Sequence, residues 1–337
     1  MTLMMTNDIP RRKDGGIKWN FRPVNQEELE ACLKDPLWRV CSGVLYKIII
    51  KGDDGQDGLV INFKPNRSQR RLLANLWHRN VILKARQLGF TTLICILWLD
   101  TALFSENVRC GIIAQDREAA EVIFRDKVKF AYENLPENLK SAMPLARDSA
   151  SELLFAHNNS SIRVATSMRS GTIHRLHISE FGKICAKYPD KAVEVVTGSI
   201  PAVPKNGILI IESTAEGREG EFYDITMRAK SAKDTAKELT VRDYRFHFFA
   251  WWDANEYEMP ADSVKLTDKD NLYFERIESQ IDQPISLEKR AWYIATRDAD
   301  FSGSEEKMWQ EYPSTPEEAF QQSTEGCYYS EQLAKAR

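Results

Sequence analysis

Segment 81–104 has the composition and spacing of a ligand-binding loop between a strand and a helix. Val81 and Leu83 belong to a short apolar run that predicts a buried strand, Gly89 predicts a tight turn, and a long apolar run over residues 93–104 predicts a helix. A strand, a turn and a helix in this order direct backbone N–H groups towards phosphates at the start of the helix. The segment is therefore a candidate phosphate-binding loop.

This loop departs from the usual G-x-x-x-x-G-K-[ST] pattern at two positions. Lys84 stands where the first glycine is expected and Phe90 where the lysine is expected, whereas Gly89 and Thr91 fit. A lysine side chain reaches about 6 Å, so Lys84 could curl back onto the β- and γ-phosphates. Arg86 offers a second cation nearby. A basic loop that simply precedes a core helix remains an alternative for this motif.

A carboxylate candidate follows a second apolar run. Residues 176–178 lead into Ser179 and Glu180, where the usual pattern has Asp followed by Glu. Glu180 could act as a general base that polarises a water for attack on the γ-phosphorus. Without the Asp, magnesium would rest on Thr91 and the phosphates, and Ser179 would touch it at most through water. The alternative is a strand that ends in a surface glutamate.

Three further positions carry polar groups suited to nucleotide chemistry. Gln69 lies in the first turn of a predicted helix, and its amide could pair with the N6/N7 edge of adenine. Ser213 and Thr214 follow a predicted strand, where they could sense loss of the γ-phosphate. Arg169 precedes a loop glycine and could act as an arginine finger. A solvated glutamine, ordinary turn hydroxyls and a solvated arginine are the respective alternatives.

Composition restricts the class of protein. The chain has 337 residues, 43% of them hydrophobic, and a net charge of −3. Residues 256–337 contain 18 acidic and 9 basic residues, so residues 1–255 carry +6, and a polyanion would bind the first part of the chain through local basic patches. The six cysteines contain no C-x-x-C pair, which predicts reduced thiols of a cytosolic protein without zinc. The longest apolar run is too short to cross a membrane, and no signal peptide is evident.

Apolar runs of strand length alternate with helical patterns along the chain. This alternation predicts a mostly parallel, three-layer α/β sheet. Two pairs of runs predict hairpins, the first closed by a turn at Asp53, Asp54 and Gly55. The predicted hairpin strands are 44–50 with 59–63, and 153–155 with 162–165; the other strands are 108–114, 173–179, 207–211 and 244–249.

The order of these motifs resembles the large terminase subunit of tailed bacteriophages, from about Trp38 to Phe320. The matching segments are 66–69, 84–92, 169–171, 176–180, 212–217 and 312–320. The most specific pieces are Arg86-Gln87-Leu88-Gly89 and the Pro-Ser-Thr-Pro-Glu-Glu-Ala-Phe segment at 313–320. Phe90 does not break the resemblance, because some members of the family also carry the lysine early in the loop. Ser179 in place of Asp is a departure from the family's pattern.

The resemblance implies an ATP-hydrolysing, magnesium-dependent motor with an additional-strand P-loop fold. Such motors form a homo-oligomeric ring on the portal protein of a procapsid, work with a small terminase subunit in the host cell cytoplasm, and drive double-stranded DNA inward. By resemblance, Gln69 would bind adenine, Thr91 magnesium, Glu180 would be catalytic, and Arg169 would be a finger in trans. Ser213 and Thr214 would couple hydrolysis to movement. The nucleotide-binding loop would comprise Lys84, Ala85, Arg86, Gln87, Leu88, Gly89, Phe90, Thr91 and Thr92.

The resemblance also predicts a division of the chain. Residues 1–24 are expected to form a loose arm, 25–250 the P-loop ATPase core, and 251–337 an acidic helical subdomain with a linker. The family's nuclease domain lies beyond this region, so no DNA cleavage is expected of these residues. Two alternatives are a related P-loop DNA helicase or translocase, and a non-hydrolysing nucleotide-binding scaffold in which Phe90 and Ser179 mark an inactive site.

Overall fold

The structure is a computed structural model that describes residues 9–50, 58–169 and 171–321. The predicted turn at Asp53, Asp54 and Gly55 therefore lies outside the described residues, as do Ser170 and Cys327. The same holds for residues 1–8 of the predicted arm and residues 322–337 of the predicted C-terminal region.

The central feature is an eight-stranded sheet with the order β10-β3-β9-β8-β4-β7-β6-β5. A separate two-stranded antiparallel sheet is formed by β1 and β2. The strands are β1 (Lys47–Ile50), β2 (Leu59–Asn62), β3 (Arg79–Lys84), β4 (Arg109–Ile113), β5 (Leu145–Asp148), β6 (Glu152–Phe155), β7 (Ser161–Ala165), β8 (Arg175–Ser179), β9 (Ile208–Ser213) and β10 (Tyr244–Phe249).

The strand directions follow the sequence patterns. β3 pairs in parallel with β10, and β4 pairs in parallel with both β7 and β8. Their central residues are buried, as expected for strands covered on both faces. β5, β6 and β7 are joined antiparallel. Because β9 lies between β3 and β8, an additional strand separates the strand of the phosphate-binding loop from the strand that precedes Glu180. The predicted α/β fold with a mostly parallel, additional-strand sheet is confirmed.

Both predicted hairpins are present, with β1 and β2 as the first and β6 and β7 as the second. β5 was not expected, because its residues are mostly exposed and show no regular alternation of apolar and polar side chains. A helix follows Asp116 and changes hydrogen-bonding pattern along its length. It comprises α5 (Arg117–Ile123), a π-helical segment (Phe124–Lys129) and α6 (Phe130–Glu133).

The remaining helices connect the strands and fill the C-terminal region. They are α1 (Gln26–Lys34), α2 (Pro36–Cys41), α3 (Arg67–Ala74), α4 (Phe90–Phe104), α7 (Glu137–Ala142), α8 (Phe181–Lys187), α9 (Pro189–Glu194), α10 (Glu221–Asp234), α11 (Asp268–Ile281), α12 (Leu287–Asp300), α13 (Glu305–Glu311) and α14 (Pro316–Ala319). Thr315 caps α14 by accepting a hydrogen bond from the Glu318 N–H. No described helix is long and apolar enough to span a bilayer.

Residues 9–24 differ from the expected loose arm. Ile17 is 1% exposed and packs with Cys32 and Trp38, on α1 and α2. Arg12 forms an ion pair with Asp35 at 3.1 Å. The sequence suggested a loose segment because polar residues dominate it. In the structure, a buried isoleucine and an ion pair attach the segment to the helices that follow it.

The chain divides into two compact units, each made of several segments. The first contains the described residues of Met1–Arg70, Gly89–Ser179 and Gly198–Leu209. The second contains those of Arg71–Leu88, Glu180–Thr197 and Ile210–Arg337. The expected boundary near residue 250 stays a prediction.

A buried ionic network holds α4 within the first unit. The two carboxylate oxygens of Asp100, on α4, accept hydrogen bonds from Arg39 at 2.9 and 2.7 Å. Tyr46 donates a third hydrogen bond to Asp100 at 2.7 Å. Burial raises the pKa of Asp100, although the hydrogen bonds from Arg39 and Tyr46 act against that rise. An acidic residue can therefore occupy an otherwise apolar helix, because its partners replace water.

Candidate nucleotide-binding site

The predicted strand, turn and helix of the phosphate-binding loop are all present. β3 ends at Lys84 and α4 begins at Phe90. Gln87 and Gly89 both adopt left-handed backbone conformations, with φ of 60° and 71°. A side chain at Gly89 would be strained by this conformation, and its Cβ would lie 2.8 Å from Nε2 of Gln69. Glycine is thus required at the position that the motif predicted.

Lys84 lies between two carboxylates of the second unit. Its Nζ atom is 3.1 Å from Oε1 of Glu180 and 3.2 Å from Oε2 of Glu212. The Lys84 side chain is 6% exposed. Burial alone would lower the pKa of Lys84, but the charges and hydrogen bonds of the two glutamates outweigh it and raise the pKa above its usual range. Lys84 is therefore a charged ammonium group held by two carboxylates.

Glu180 occupies a strained position directly after β8. Its φ of 52° and ψ of 47° are left-handed, a conformation that costs a residue with a side chain about 1–2 kcal/mol. The Oε2 atom of Glu180 lies 3.6 Å from Nζ of Lys183, one turn along α8. Strained residues of this kind cluster at functional sites. The alternative of a surface glutamate does not fit a side chain held between two lysines and 24% exposed.

The sequence did not single out Glu212 as a site residue. It lies in β9, one residue before Ser213, and is fully buried. Its partner Lys84 is distant in sequence, so no local spacing links the two. The available signal was a carboxylate within an apolar strand, because a charged group in such a strand almost always has a buried partner.

Ser213 and Thr214 lie against the start of α8, within the second unit. Both are buried, and within the described part of the chain neither hydroxyl has a hydrogen-bond partner. A Cβ on Gly182 would lie 2.8 Å from Oγ of Ser213 and 2.9 Å from the carbonyl oxygen of Thr214. The pair therefore packs directly on the backbone two residues after Glu180. A displacement of either segment would displace the other.

The backbone just after Lys84 is held by the C-terminal part of the second unit. The N–H of Ala85 donates to the Phe249 carbonyl at 2.8 Å, and that of Arg86 donates to the Glu311 carbonyl at 2.9 Å. The guanidinium of Arg86 lies 3.7 Å from the Glu311 carboxylate, and the Tyr257 hydroxyl donates to the Arg86 carbonyl. These two N–H groups are already hydrogen-bonded within the protein. Phosphates would therefore have to bind backbone N–H groups from Gln87 onward.

Some side chains of the loop are buried and others are exposed to solvent. Ala85, Leu88 and Phe90 are at most 2% exposed, so they could approach a nucleotide only through their backbones. Arg86 and Gln87 are exposed. The aromatic ring of Phe90 therefore fills the core where the usual motif has its lysine, which leaves Lys84 as the buried cation of the loop.

In the first unit, Gln69 fixes the glycine of the loop. Its Nε2 donates to the Gly89 carbonyl at 2.8 Å, and its Oε1 accepts from the Asn66 N–H at 2.9 Å. Asn66 returns the contact, since its Oδ1 accepts from the Gln69 N–H at 2.9 Å. One amide hydrogen and one oxygen lone pair of Gln69 are thus used in hydrogen bonds within the protein. Its role towards adenine stays a prediction.

The hydroxyls predicted to hold magnesium also lie in the first unit. Thr91 is in the first turn of α4, and Ser179 is the last residue of β8 and 4% exposed. The neighbouring Thr92 accepts a hydrogen bond from Lys127 at 3.0 Å. Among the described residues, no group of three or more His, Cys, Asp or Glu could hold a metal. Neutral hydroxyl oxygens fit a magnesium ion that keeps most of its ligands as phosphate and water.

Arg169 shares a cavity of about 340 Å³ with Asn107 and Arg109, at the start of β4, and with His174, which precedes β8. β4 and β8 run parallel, so this cavity lies towards their amino ends, whereas Ser179 ends β8. The structure thus places Arg169 away from the carboxyl end of β8 within the first unit. A contact with a neighbouring subunit stays a prediction.

No protein-family model and no curated protein matches this chain. Among solved structures, the large terminase of bacteriophage HK97 matches 82% of this chain and 54% of its own length, with 16% identity and a TM-score of 0.52. The ATPase domain of the Thermus phage P74-26 large terminase matches 75% of this chain and 94% of its own, with 17% identity and a TM-score of 0.47. A DEAD-box protein from Methanococcus jannaschii matches 63% of this chain and 54% of its own, with 16% identity and a TM-score of 0.34. The chain therefore has the fold of a phage large terminase, and the resemblance inferred from the sequence is confirmed at the level of the fold.

Proposed function

We propose that this chain, which has the fold of a phage large terminase, is an ATP-hydrolysing motor domain that drives double-stranded DNA into a viral procapsid. The observation that carries the proposal is the ion cluster of Lys84, Glu180 and Glu212, at the point where the phosphate-binding loop leaves β3. It combines a buried cation suited to phosphate with a carboxylate suited to activating water.

The geometry suggests how nucleotide binding prepares the base. In the structure Oε1 of Glu180 accepts a hydrogen bond from Nζ of Lys84 at 3.1 Å, so Lys84 competes with water for this oxygen. The β- and γ-phosphates of ATP would attract Lys84 and weaken that pair. Glu180 would then take a proton from the water that attacks the γ-phosphorus, giving ADP and inorganic phosphate. Magnesium, bound by phosphate, water and Thr91, would neutralise charge on the phosphates.

The segment after β9 would pass this change onward. Ser213 and Thr214 are in contact with the backbone at Gly182, close to the strained Glu180. Loss of the γ-phosphate would let Lys84 return to Glu180, and the shift at the start of α8 would reach Ser213 through this close contact. We assign the coupling of hydrolysis to movement to this contact.

The remaining parts of the proposal concern the assembly. The domain would act in a homo-oligomeric ring on the portal protein, in the host cytoplasm and together with a small terminase subunit. Arg169 of one subunit would neutralise charge at the site of its neighbour. An arginine towards the amino ends of β4 and β8 suits a role at a neighbouring subunit's site better than one at its own site.

The test is steady-state ATP hydrolysis per subunit over a range of protein concentrations. Glu180→Gln should lower kcat by roughly 10²- to 10⁴-fold while a fluorescent ATP analogue still binds. Glu106→Gln, at an exposed position outside the site, is the matched control and should keep the wild-type rate. ATP binding without hydrolysis above the Glu180→Gln background, at high concentration and with DNA present, would reject the motor in favour of a non-hydrolysing nucleotide-binding protein.

A further inference from the structure

A cavity of about 430 Å³ in the first unit lies outside the nucleotide-binding loop. Its volume is in the range of ligand-binding pockets. Five of its lining residues are cationic, and none of the described residues that line it is an aspartate or a glutamate. The cations are Arg12, Lys18, Arg22, Lys64 and Arg70. We call it the cationic cavity.

Most of these charges are not neutralised by the protein. Arg12 is paired with Asp14 and Asp35, each at 3.1 Å. Arg22 donates only to carbonyl groups, including that of Ser42 at 2.8 Å, which orient its guanidinium but leave its charge uncompensated. The other three cations are Lys18, Lys64 and Arg70. Among the described residues, none of the three has a carboxylate within ion-pairing distance.

Donors also dominate the hydrogen-bonding groups of the cavity, although Asn20 and Ser42 carry acceptor oxygens. Guanidinium and ammonium groups only donate hydrogen bonds. Trp19, which also lines the cavity, has a buried indole N–H that makes no hydrogen bond to any described residue. A ligand that matches this lining must be negatively charged and rich in acceptors, which describes phosphate groups.

A second basic groove, along β10, lacks this excess of charge. It is lined by four cations, but also by Glu238; the cations are Arg71, Lys233, Lys237 and Arg245. Arg71 is paired with Asp253. Lys237 is paired with Asp243 at 2.9 Å. Two of the cations in that groove are thus already compensated, and the cationic cavity is the stronger attractor of anions.

We propose that the cationic cavity binds consecutive phosphate groups of double-stranded DNA. One inorganic phosphate could not compensate four unpaired cations, whereas neighbouring phosphates of a polyanion could. The cavity also belongs to the part of the sequence that carries +6, whereas residues 256–337 carry −9. Naming DNA as the source of the phosphates rests on the proposed motor function, but binding at the cavity does not depend on ATP hydrolysis.

The test compares two triple variants by fluorescence anisotropy with a labelled DNA duplex at several NaCl concentrations. Lys18→Gln/Lys64→Gln/Arg70→Gln removes three uncompensated cations of the cavity. The control Arg117→Gln/Lys205→Gln/Lys265→Gln removes the same charge from exposed positions that do not line the cavity. The cavity triple should weaken DNA binding roughly 100-fold near 0.15 M salt, and should reduce the slope of log K against log [salt] by about 0.9 for each cation removed. The control should lose much less affinity.

Additional variants and measurements distinguish structural damage, binding of a different ligand and failure of the proposed motor function. The charge-keeping variant Lys18→Arg/Lys64→Arg/Arg70→Lys should retain DNA affinity, whereas a loss equal to that of the Gln triple would mean structural damage and overturn the proposal. Equal losses in the cavity and control triples would also overturn it. A loss of ATP-analogue affinity with DNA affinity unchanged would assign the phosphates to nucleotide and reject DNA. If the unaltered protein fails to hydrolyse ATP but the DNA effect appears, the motor proposal fails and the cavity proposal stands.

Discussion

The Nζ atom of Lys84 lies 3.2 Å from Oε2 of Glu212, a carboxylate that is fully buried. The same ammonium group holds Glu180 at 3.1 Å. Since one cation serves two carboxylates, any ligand that attracts Lys84 changes the surroundings of both. In the proposed reaction Glu212 would therefore act through Lys84, as a positioning residue.

Glu212→Gln should separate ATP binding from hydrolysis. The substitution keeps the shape but removes one negative charge beside Lys84, so ATP should bind a few-fold more tightly. Lys84 is then left with Glu180 as its only carboxylate partner in the cluster, so it should hold Glu180 more firmly and lower kcat on the order of tenfold. Titration with a fluorescent ATP analogue and steady-state rates would measure the two effects. A variant with unchanged affinity and unchanged kcat would show that Glu212 does not control Lys84.

Lys84→Met should abolish ATP binding and destabilise the fold. Methionine has similar length but no charge, so Glu180 and the buried Glu212 lose their counter-ion, at a cost of about 3–5 kcal/mol. Urea denaturation would measure this loss. The double variant Lys84→Met/Glu212→Gln should recover most of the stability but none of the ATP binding, because the buried charge is gone while the phosphate ligand is still missing. A double variant no more stable than Lys84→Met would mean that packing, and not charge, explains the loss.

Arg169→Ala and Glu180→Ala should complement each other if Arg169 acts on a neighbouring subunit. Each variant alone should hydrolyse ATP poorly. In a mixed ring, an intact Glu180 from one subunit can meet an intact Arg169 from its neighbour, and equal mixing should restore roughly a quarter of the wild-type rate. Arg117→Ala in place of Arg169→Ala is the control for the mixing procedure, since it should be active alone. A mixture no more active than its two components would exclude a finger in trans.

Asp100→Ala should destabilise the first unit by about 3–5 kcal/mol, because it leaves the buried guanidinium of Arg39 without its carboxylate. The measurement is the free energy of unfolding from urea titration. Tyr46→Phe removes only the third hydrogen bond and should cost about 1–3 kcal/mol. Arg39→Met/Asp100→Leu, which removes both charges, should be more stable than Asp100→Ala. The opposite order would argue that shape, and not the unpaired charge, dominates at this position.

His247 should make the protein less stable in mild acid. Burial, with the charges of Arg245, Lys233 and Arg71, lowers the pKa of His247 to about 3. In the unfolded chain its pKa is about 6.5, so below that pH the unfolded state binds a proton that the folded state does not, and stability falls as the pH drops from 6.5 towards 3. Between pH 6.5 and pH 5 the loss should be about 1.5 kcal/mol.

His247→Gln isolates this effect, since glutamine does not titrate and can still donate to Oδ1 of Asn80, which lies 3.0 Å from Nε2 of His247. Unfolding free energies of both proteins at several pH values between 5 and 7 would give the comparison. The variant should have a flatter profile than the wild type. Parallel profiles would mean that another group is responsible for the acid sensitivity.

The local parts of the candidate site could be predicted from the sequence alone. Lys84, Gly89 and Glu180 were predicted as site residues because a phosphate-binding loop and a strand-end carboxylate are short motifs of neighbouring residues. The mostly parallel α/β sheet and both hairpins followed from apolar runs and turn residues, which are also local signals.

Contacts between residues that are distant in sequence became visible only in the tertiary structure. The pairing of Glu212 with Lys84 and the packing of Ser213 on Gly182 involve residues far apart in sequence. The same is true of the cationic cavity, which collects side chains from Arg12 to Arg70. Side-chain periodicity specifies which face of an element is buried, but not which element lies beside it. Partners of buried charges depend on strand order and on loop paths, and these are set by the packing of the whole chain.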